Sequence, residues 1–197
     1  MWVFKWKRNG KGKEYYWNGE LLFEGEYLNG KRWNGKVKEY DYNGKLVFEG
    51  EYLNGKKWNG KGFNKNNEIE YEIKDGNGKG KEYYKGKLEF EGEYLNGKRN
   101  GKGKQYYFDG KLEFEGEFVN GKKCNGKGKE YSDGKLVFEG EYLNGLRNGK
   151  CKEYYYNGVL KFEGEYLNGK RNGKGKEYNY DEKLEFEGEY LNGERKI

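Results

Sequence analysis

Apolar and charged positions alternate along this chain with a period of two. In Leu112-Glu113-Phe114-Glu115-Gly116-Glu117-Phe118 the apolar residues and Gly take one set of alternate positions, and three Glu take the other. Such a period places the two sets on opposite faces of a β-strand. In Lys102-Gly103-Lys104-Gln105-Tyr106-Tyr107, Lys102, Lys104 and Tyr106 share one side while Gly103, Gln105 and Tyr107 share the other. Asn-Gly and Asp-Gly pairs separate the strands. They mark hairpins, because a type I′ turn needs positive φ at both central residues. Tyr42-Asn43-Gly44-Lys45 is expected to be the tight turn, and Leu28-Asn29-Gly30-Lys31-Arg32 to open a longer loop.

The alternation belongs to a larger repeat. With the first Phe of Phe-Glu-Gly-Glu as marker, copies start at Phe23, Phe48, Phe90, Phe114, Phe138, Phe162 and Phe186. The last five starts are 24 residues apart and the first two 25, the additional residue being Trp33. The gap of 42 residues between Phe48 and Phe90 holds a worn copy over 69–89, in which Ile69-Glu70-Tyr71-Glu72-Ile73-Lys74-Asp75-Gly76 stands for the usual opening. Half repeats begin and end the chain. One array of about eight hairpins therefore accounts for 1–197, with no separate domain or linker. The expected fold class is all-β: a single-layer meandering antiparallel sheet of stacked β-hairpin repeats, forming an elongated twisted rod or groove.

A one-layer sheet must curve until its apolar face covers itself. Gly inside a strand lets a sheet bend and lets a neighbouring ring lie across bare backbone. Phe-x-Gly-x-Tyr followed by Gly-x-Gly supplies that floor and that covering. Burying each ring contributes roughly 1.5–3 kcal/mol, against about 0.2–1 kcal/mol for a cross-strand Glu–Lys pair. The aromatic column is expected to hold the fold, and the Glu/Lys face to keep it soluble and in register.

Composition tests this picture. Only 32% of residues are hydrophobic and 38% are charged, with a mean hydropathy of −1.38. That would suit a disordered chain, but disordered chains are poor in aromatics and this one has 19%. Lys+Arg 40 against Asp+Glu 34 gives +6, spread along the whole length. No apolar stretch approaches the roughly 20 residues that cross a bilayer, and residues 1–10 lack the features of a secretory signal. A soluble cytoplasmic protein is expected, at most peripheral to a membrane or the cytoskeleton. Successive hairpins lie roughly 9–10 Å apart, whereas a disulfide needs Cα atoms within about 7 Å. Cys124 and Cys151 are expected to be free thiols.

Phe-Glu-Gly-Glu-Tyr-Leu-Asn-Gly-Lys-Arg-Asn-Gly-Lys-Gly at 162–175 resembles the MORN repeat (membrane occupation and recognition nexus). The match recurs at 90–103, at 138–151 with Cys151 for the last Gly, and at 114–128 with Cys124 inserted. It recurs again at 23–37, with Trp33 inserted and Val37 for the last Gly, and at 48–62 with Trp58 inserted. The resemblance implies a twisted single sheet of stacked hairpins. It also implies a scaffold, an oligomerisation module or a lipid-contacting element, and related repeats occur in antitoxin-like bacterial proteins.

The chain offers little for catalysis. It has no His and no Thr, and one Ser, Ser132. A His-based triad is excluded, and two separated Cys do not make a zinc site. The Glu residues recur beside Lys in every copy, as a solvated charge ladder does. No catalytic, cofactor-binding or metal-binding residue is expected, and no enzyme activity. Two surfaces are candidates for binding. The first is a basic ridge expected on the longer loops: Lys31, Arg32, Lys98, Arg99, Lys170 and Arg171, with their equivalents. It would suit an anionic lipid surface or an acidic protein; nucleic acid is disfavoured, because adjoining Glu columns repel phosphate. The second is the set of aromatics that break the repeat: Trp2, Phe4, Trp6, Trp33 and Trp58. The expected function is non-enzymatic, a repeat scaffold presenting an extended surface to protein partners. The alternatives are an antitoxin-like regulator of one protein and an adaptor for anionic membranes. Self-association is expected through the terminal strands, because 184–190 has no return strand to pair with.

Overall fold

The computed structural model describes residues 7–41 and 43–196. Among them there is no helix. Seventeen strands form one open antiparallel sheet of successive hairpins, not closed into a barrel. In chain order they are β1 (Gly10–Tyr15), β2 (Leu21–Leu28), β3 (Lys31–Tyr40), β4 (Leu46–Leu53), β5 (Lys56–Phe63), β6 (Ile69–Lys74), β7 (Asn77–Tyr84), β8 (Lys87–Leu95) and β9 (Lys98–Tyr106). Then follow β10 (Leu112–Val119), β11 (Lys122–Ser132), β12 (Lys135–Leu143), β13 (Leu146–Tyr154), β14 (Leu160–Leu167), β15 (Lys170–Tyr178), β16 (Leu184–Leu191) and β17 (Glu194–Arg195). The chain folds as two compact units, 1–100 and 101–197.

The two kinds of turn are the reverse of what the sequence led us to expect. Asn29-Gly30 is the tight turn: Leu28 pairs directly with Lys31, and φ is 52° at Asn29 and 82° at Gly30. Asn and Gly are the residues that tolerate this left-handed backbone. The wide loop lies at 41–45, where Asp41 accepts through Oδ1 from the backbone N of Asn43 and Lys45. An Asx side chain that closes its own loop relieves the strands of meeting at two residues.

Trp33, Trp58 and Cys124 do not lengthen loops either. They are strand residues, taken up as a one-residue bulge: Tyr27 pairs with Arg32 and Glu26 with Asn34, which leaves Trp33 unopposed. Repeats without the insertion bulge differently. There Tyr166 pairs with Arg171 and Gly164 with Gly175, with φ at +84° on Gly173 between them. Opposite the central Gly of Phe-Glu-Gly-Glu, the first class places the first Gly of Gly-x-Gly and the second class the second. The slip is by two residues, so every side chain keeps its face. The Trp33 ring lies on the next tight turn, its Cε3 3.2 Å from where a Cβ on Gly55 would stand.

The Phe column is the core. Phe23, Phe48, Phe90, Phe114, Phe138 and Phe162 are at most 1% exposed. In the first unit Phe23, Phe48, Tyr27, Val37, Tyr71 and Ile73 form one cluster; in the second Phe138, Phe162, Cys151, Tyr166 and Tyr190 form another. Gly is required beneath the rings, since a Cβ on Gly175 would stand 2.6 Å from Phe162 Cε2. Both cysteines are free, as expected, with Cys151 buried.

The expected open strand at 184–190 also needs correction. β17 turns back on β16, pairing Arg195 with Tyr190 and Glu194 with Leu191, and Lys196 N donates to Glu189 O at 2.8 Å. Trp2, Phe4 and Trp6 lie outside the described residues.

Candidate functional site

A sheet one layer thick buries its Phe rings because side chains build the second layer. Around Phe162 stand Tyr166 and Tyr190, edge-on with centroids 5.9 and 5.2 Å away, and the Arg171 guanidinium 4.1 Å above the ring. Arg171 Nε donates to Glu153 at 2.7 Å, and the Tyr166 hydroxyl donates to the same carboxylate. The set recurs. Glu14 takes Tyr27 and Arg32; Glu82 takes Tyr94 and Arg99; Glu130 takes Tyr142 and Arg147; Glu177 takes Tyr190 and Arg195. Glu39 takes Tyr52 and Lys57, whose ammonium lies 4.1 Å from the Phe48 ring centre. Arg171 also donates to Glu177 at 3.0 Å and so links neighbouring sets.

The electrostatics follow from this geometry. Burial alone would raise the pKa of Glu153, but hydrogen bonds from Arg171 and Tyr166 hold it below the ordinary carboxylate value. Glu177 goes lowest: burial is outweighed by Arg195, Arg171 and Tyr190, which bring it to about 2. The partner phenols move the other way; burial first and the carboxylate second push Tyr142 and Tyr166 above their ordinary value.

Those sets occupy one face. The other face of the second unit forms a groove of about 990 Å³. Its floor is bare peptide at Gly128, Gly140, Gly164, Gly175 and Gly188, continued by the backbone of Cys151, whose side chain lies in the Phe-face cluster, and Glu and Lys rows line its walls. Cross-strand pairs span it at intervals: Lys129–Glu139 at 3.3 Å, Lys152–Glu163 at 3.9 Å and Lys176–Glu187 at 3.2 Å. All are substantially exposed, and each contributes only about 0–1 kcal/mol. Such pairs exchange partners at little cost. Chemically the groove can bind a chain that carries both signs of charge, with the glycine floor open to backbone contact.

The expected basic ridge divides into two parts. Lys31, Lys98 and Lys170 are exposed just after the tight turns. Arg32, Arg99 and Arg171 belong to strands β3, β9 and β15, not to loops, and their side chains turn onto the Phe face; 23%, 16% and 15% of the respective side chains is exposed. Alternation explains the split, since neighbours in a strand point to opposite faces. Trp33 and Trp58 are half-buried, packed on the turns at Gly55 and Gly76. The structure brings none of these residues into the groove.

Residues 90–111, 114–135, 138–159 and 162–181 match the MORN repeat, and 8–29 and 33–54 match the MORN repeat variant. The matches cover more than half of the chain. The chain belongs to the MORN-repeat family. The MORN matches skip 55–89, the stretch that holds the worn copy. No curated protein matches the chain.

Sequence reasoning missed the Glu of each MORN set, having assigned every Glu to a solvated ladder. A signal was present. Where that Glu becomes Gln105, the Tyr of the same set becomes Phe118 and the Arg becomes Lys123, which pairs with Glu113 instead. Glu and Tyr change together, as partners in one hydrogen bond do, while the cation alone varies at Lys57. Also missed were exposed rings at the wide-loop tips, among them Trp17, Tyr156 and Tyr180.

Proposed function

We propose that this MORN-repeat protein is a non-catalytic intracellular binding scaffold, and that the groove of its second unit receives a segment of a protein partner. The observation that carries this reading is the repetition along the groove. The same exposed Glu–Lys pair and the same bare Gly floor recur hairpin after hairpin. A binding surface built of equal, weakly committed contacts suits an elongated partner better than a small substrate. Capture from the source cells with the full chain tests it. Wild type and an exposed-turn variant, Lys98→Glu with Lys170→Glu, are expected to retain the same partner, while Glu141→Arg with Glu165→Arg loses it. An identical set of captured proteins with all three would overturn the groove.

One observation favours a second reading, contact with an anionic membrane surface. The tight-turn margin of the second unit exposes Val119, Leu143 and Leu167 to 47–50%, with Lys122 and Lys170 exposed beside them. Aliphatic groups next to cations suit a headgroup boundary, at about 1 kcal/mol per cation near the surface. Sedimentation with phosphatidylserine vesicles at low salt is expected to fall when Lys98, Lys122 and Lys170 become Glu. Wild type that stays in the supernatant would remove this reading. The arginines are left intact in that test because they belong to the core.

A further inference from the structure

The wide-loop margin of the second unit displays aromatic rings that the loops do not need. In the loop at 155–159, Tyr155 N donates to Val159 O at 2.8 Å and Gly158 N to Tyr155 O at 2.9 Å, while Val159 N donates to Asn157 Oδ1 at 3.1 Å. The tip residue, Tyr156, takes no part in that closure. The first unit supplies an internal control. Its loop at 64–68 closes in the same way, Asn64 N to Glu68 O at 2.9 Å and Asn67 N to Asn64 O at 3.1 Å, with Lys65 at the tip. Lysine at this place folds as well as a ring does. Yet Phe108, Tyr156 and Tyr180 stand there in the second unit, exposed to 55%, 45% and 65%, as Trp17 does in the loop at 16–20 of the first. Two of them are held in place: the Tyr156 hydroxyl bonds to Asp133, and Tyr180 stacks on Tyr155 with centroids 3.8 Å apart. Exposed rings fixed at regular places on a surface mark a contact site.

The spacing selects the ligand. Neighbouring strands lie about 4.7–4.9 Å apart, so loop tips on successive hairpins recur about every 9.5 Å. A polyproline II helix rises about 3.1 Å per residue with three residues per turn, and so repeats the same side about every 9.3 Å. Tyr156 and Tyr180 stand on adjacent hairpins, and Phe108 stands two hairpins before Tyr156. One polyproline II segment lying along the margin would meet each ring with the same side of a later turn. Aromatic-lined surfaces bind such segments because the ligand is already ordered before it docks.

Charge sets the polarity and the partner. Lys111 is neutralised by Asp109 at 3.0 Å and donates to Gly134 O at 2.9 Å. Among the described residues Asp181 and Glu182, both exposed beside Tyr180, make no ion pair. The margin thus ends in two carboxylates with exposed Lys183 beside them, a net negative end, while Lys135 and Lys161 lie 5.1 and 5.7 Å from the Tyr156 and Tyr155 rings. The chain contains no Pro, so a second copy of itself is not the occupant.

We propose that the margin formed by Phe108, Tyr156 and Tyr180 binds a proline-rich segment of another protein in the polyproline II conformation, with an Arg or Lys of that segment meeting Asp181 and Glu182. This site is distinct from the groove and does not rest on the groove reading. Fluorescence polarisation with the full chain tests it, using a labelled peptide of about ten prolines, roughly three turns, followed by two arginines. A Gly/Ser peptide of equal length with the same arginines is the control. The proline peptide is expected to bind saturably, and the control about tenfold more weakly or worse. Tyr156→Ala with Tyr180→Ala is expected to weaken the proline peptide about tenfold, as loss of aromatic anchors does. If that variant loses its β-sheet circular dichroism, Tyr156→Lys with Tyr180→Lys, which follows Lys65, replaces it. Asp181→Lys with Glu182→Lys is expected to weaken binding and to flatten its salt dependence. The proposal is overturned if neither peptide binds, if both bind equally, or if the loop variants leave binding unchanged. It is also overturned if Glu141→Arg with Glu165→Arg abolishes binding, or if cellohexaose displaces the peptide, which would assign the rings to a glycan.

Discussion

Two repeats of this protein solve the same burial problem with different side chains. In the repeat around Phe162, a charged set covers the ring: Glu153, Tyr166 and Arg171, all of them hydrogen-bonded. In the worn copy nothing of that set survives. Ile73 stands where the Tyr would be, β5 ends at Phe63 before a Glu is reached, and the turn at Asp75-Gly76 leads straight to Asn77 without the Lys-Arg pair. The cover there is apolar, with Ile73 2% and Tyr71 9% exposed. The comparison teaches that Glu and Tyr are kept or lost together, whereas the cation is replaced alone at Lys57, which still pairs with Glu39. Removing one member would strand a buried charge or hydroxyl, which costs more than replacing all three by apolar groups. The Gln105, Phe118 and Lys123 repeat is the intermediate case, and it too changed all three positions.

The sharpest break should come at the ring that the charged set covers. Phe162→Ala is expected to cost about 3–5 kcal/mol, read as a fall in the urea midpoint of the second unit, whereas Ile73→Val in the worn copy should cost only about 0.5–1.5 kcal/mol. Equal costs would mean that the two covers do not differ. Next in size, Glu153→Gln alone is expected to destabilise by about 1–3 kcal/mol, since it removes the charged acceptor that Arg171 Nε and the Tyr166 hydroxyl share and leaves Arg171 paired with Glu177 only. Adding Tyr166→Phe and Arg171→Lys, to copy the Gln105 repeat, should return part of that loss. A coupling of about 0.5–3 kcal/mol is expected, and strict additivity would refute the idea of a single set.

The smallest and broadest test is pH. Glu14, Glu82, Glu130, Glu153 and Glu177 all have folded pKa values below the ordinary 4.5, Glu177 at about 2. A depressed carboxylate stabilises the fold above its unfolded pKa and loses that contribution as pH falls through the folded one. The urea midpoint should therefore decline between pH 4.5 and about 2. The phenols bound to these carboxylates have raised pKa values, so their contribution is complete below 10.0 and is lost as pH rises through their folded values. Glu153→Gln should flatten the acid limb, while Ile73→Val should leave it unchanged. A variant profile parallel to wild type would remove Glu153 as a source of the slope.

Much of this fold was legible in the chain. Period-two alternation gave the strands, Asn-Gly and Asp-Gly gave the hairpins, and the spacing of Phe-Glu-Gly-Glu gave the array, because each rests on local geometry. The turn types were misassigned, since Asn-Gly at 29–30 and at 43–44 look alike until Asp41 is seen closing the second loop. The Arg of each Lys-Arg pair was placed outside for a similar reason. Composition says that Arg is polar; only the register shows that Arg171 faces Phe162 while Lys170 faces water. The groove was the least legible feature, because its floor consists of backbone at Gly positions and its walls of Glu–Lys pairs that look the same whether or not they enclose a space.

At the tight turns, the donors all point backwards along the chain. Asn144 N donates to Asn125 Oδ1 and Gly145 N to Cys124 O; Gly169 N donates to Arg147 O, and Gly193 N to Arg171 O. In the first unit Asn54 N reaches back to Asn34 and Asn96 N to Asn77. Each hairpin thus takes a backbone acceptor that its predecessor left, although Asn148 Oδ1 stays buried without a partner. A gene that gains or loses one whole unit by recombination leaves every remaining donor supplied, so such a chain can change length between generations without passing through a broken intermediate. During synthesis the same arrangement lets each turn, as it leaves the ribosome, settle onto a surface already complete.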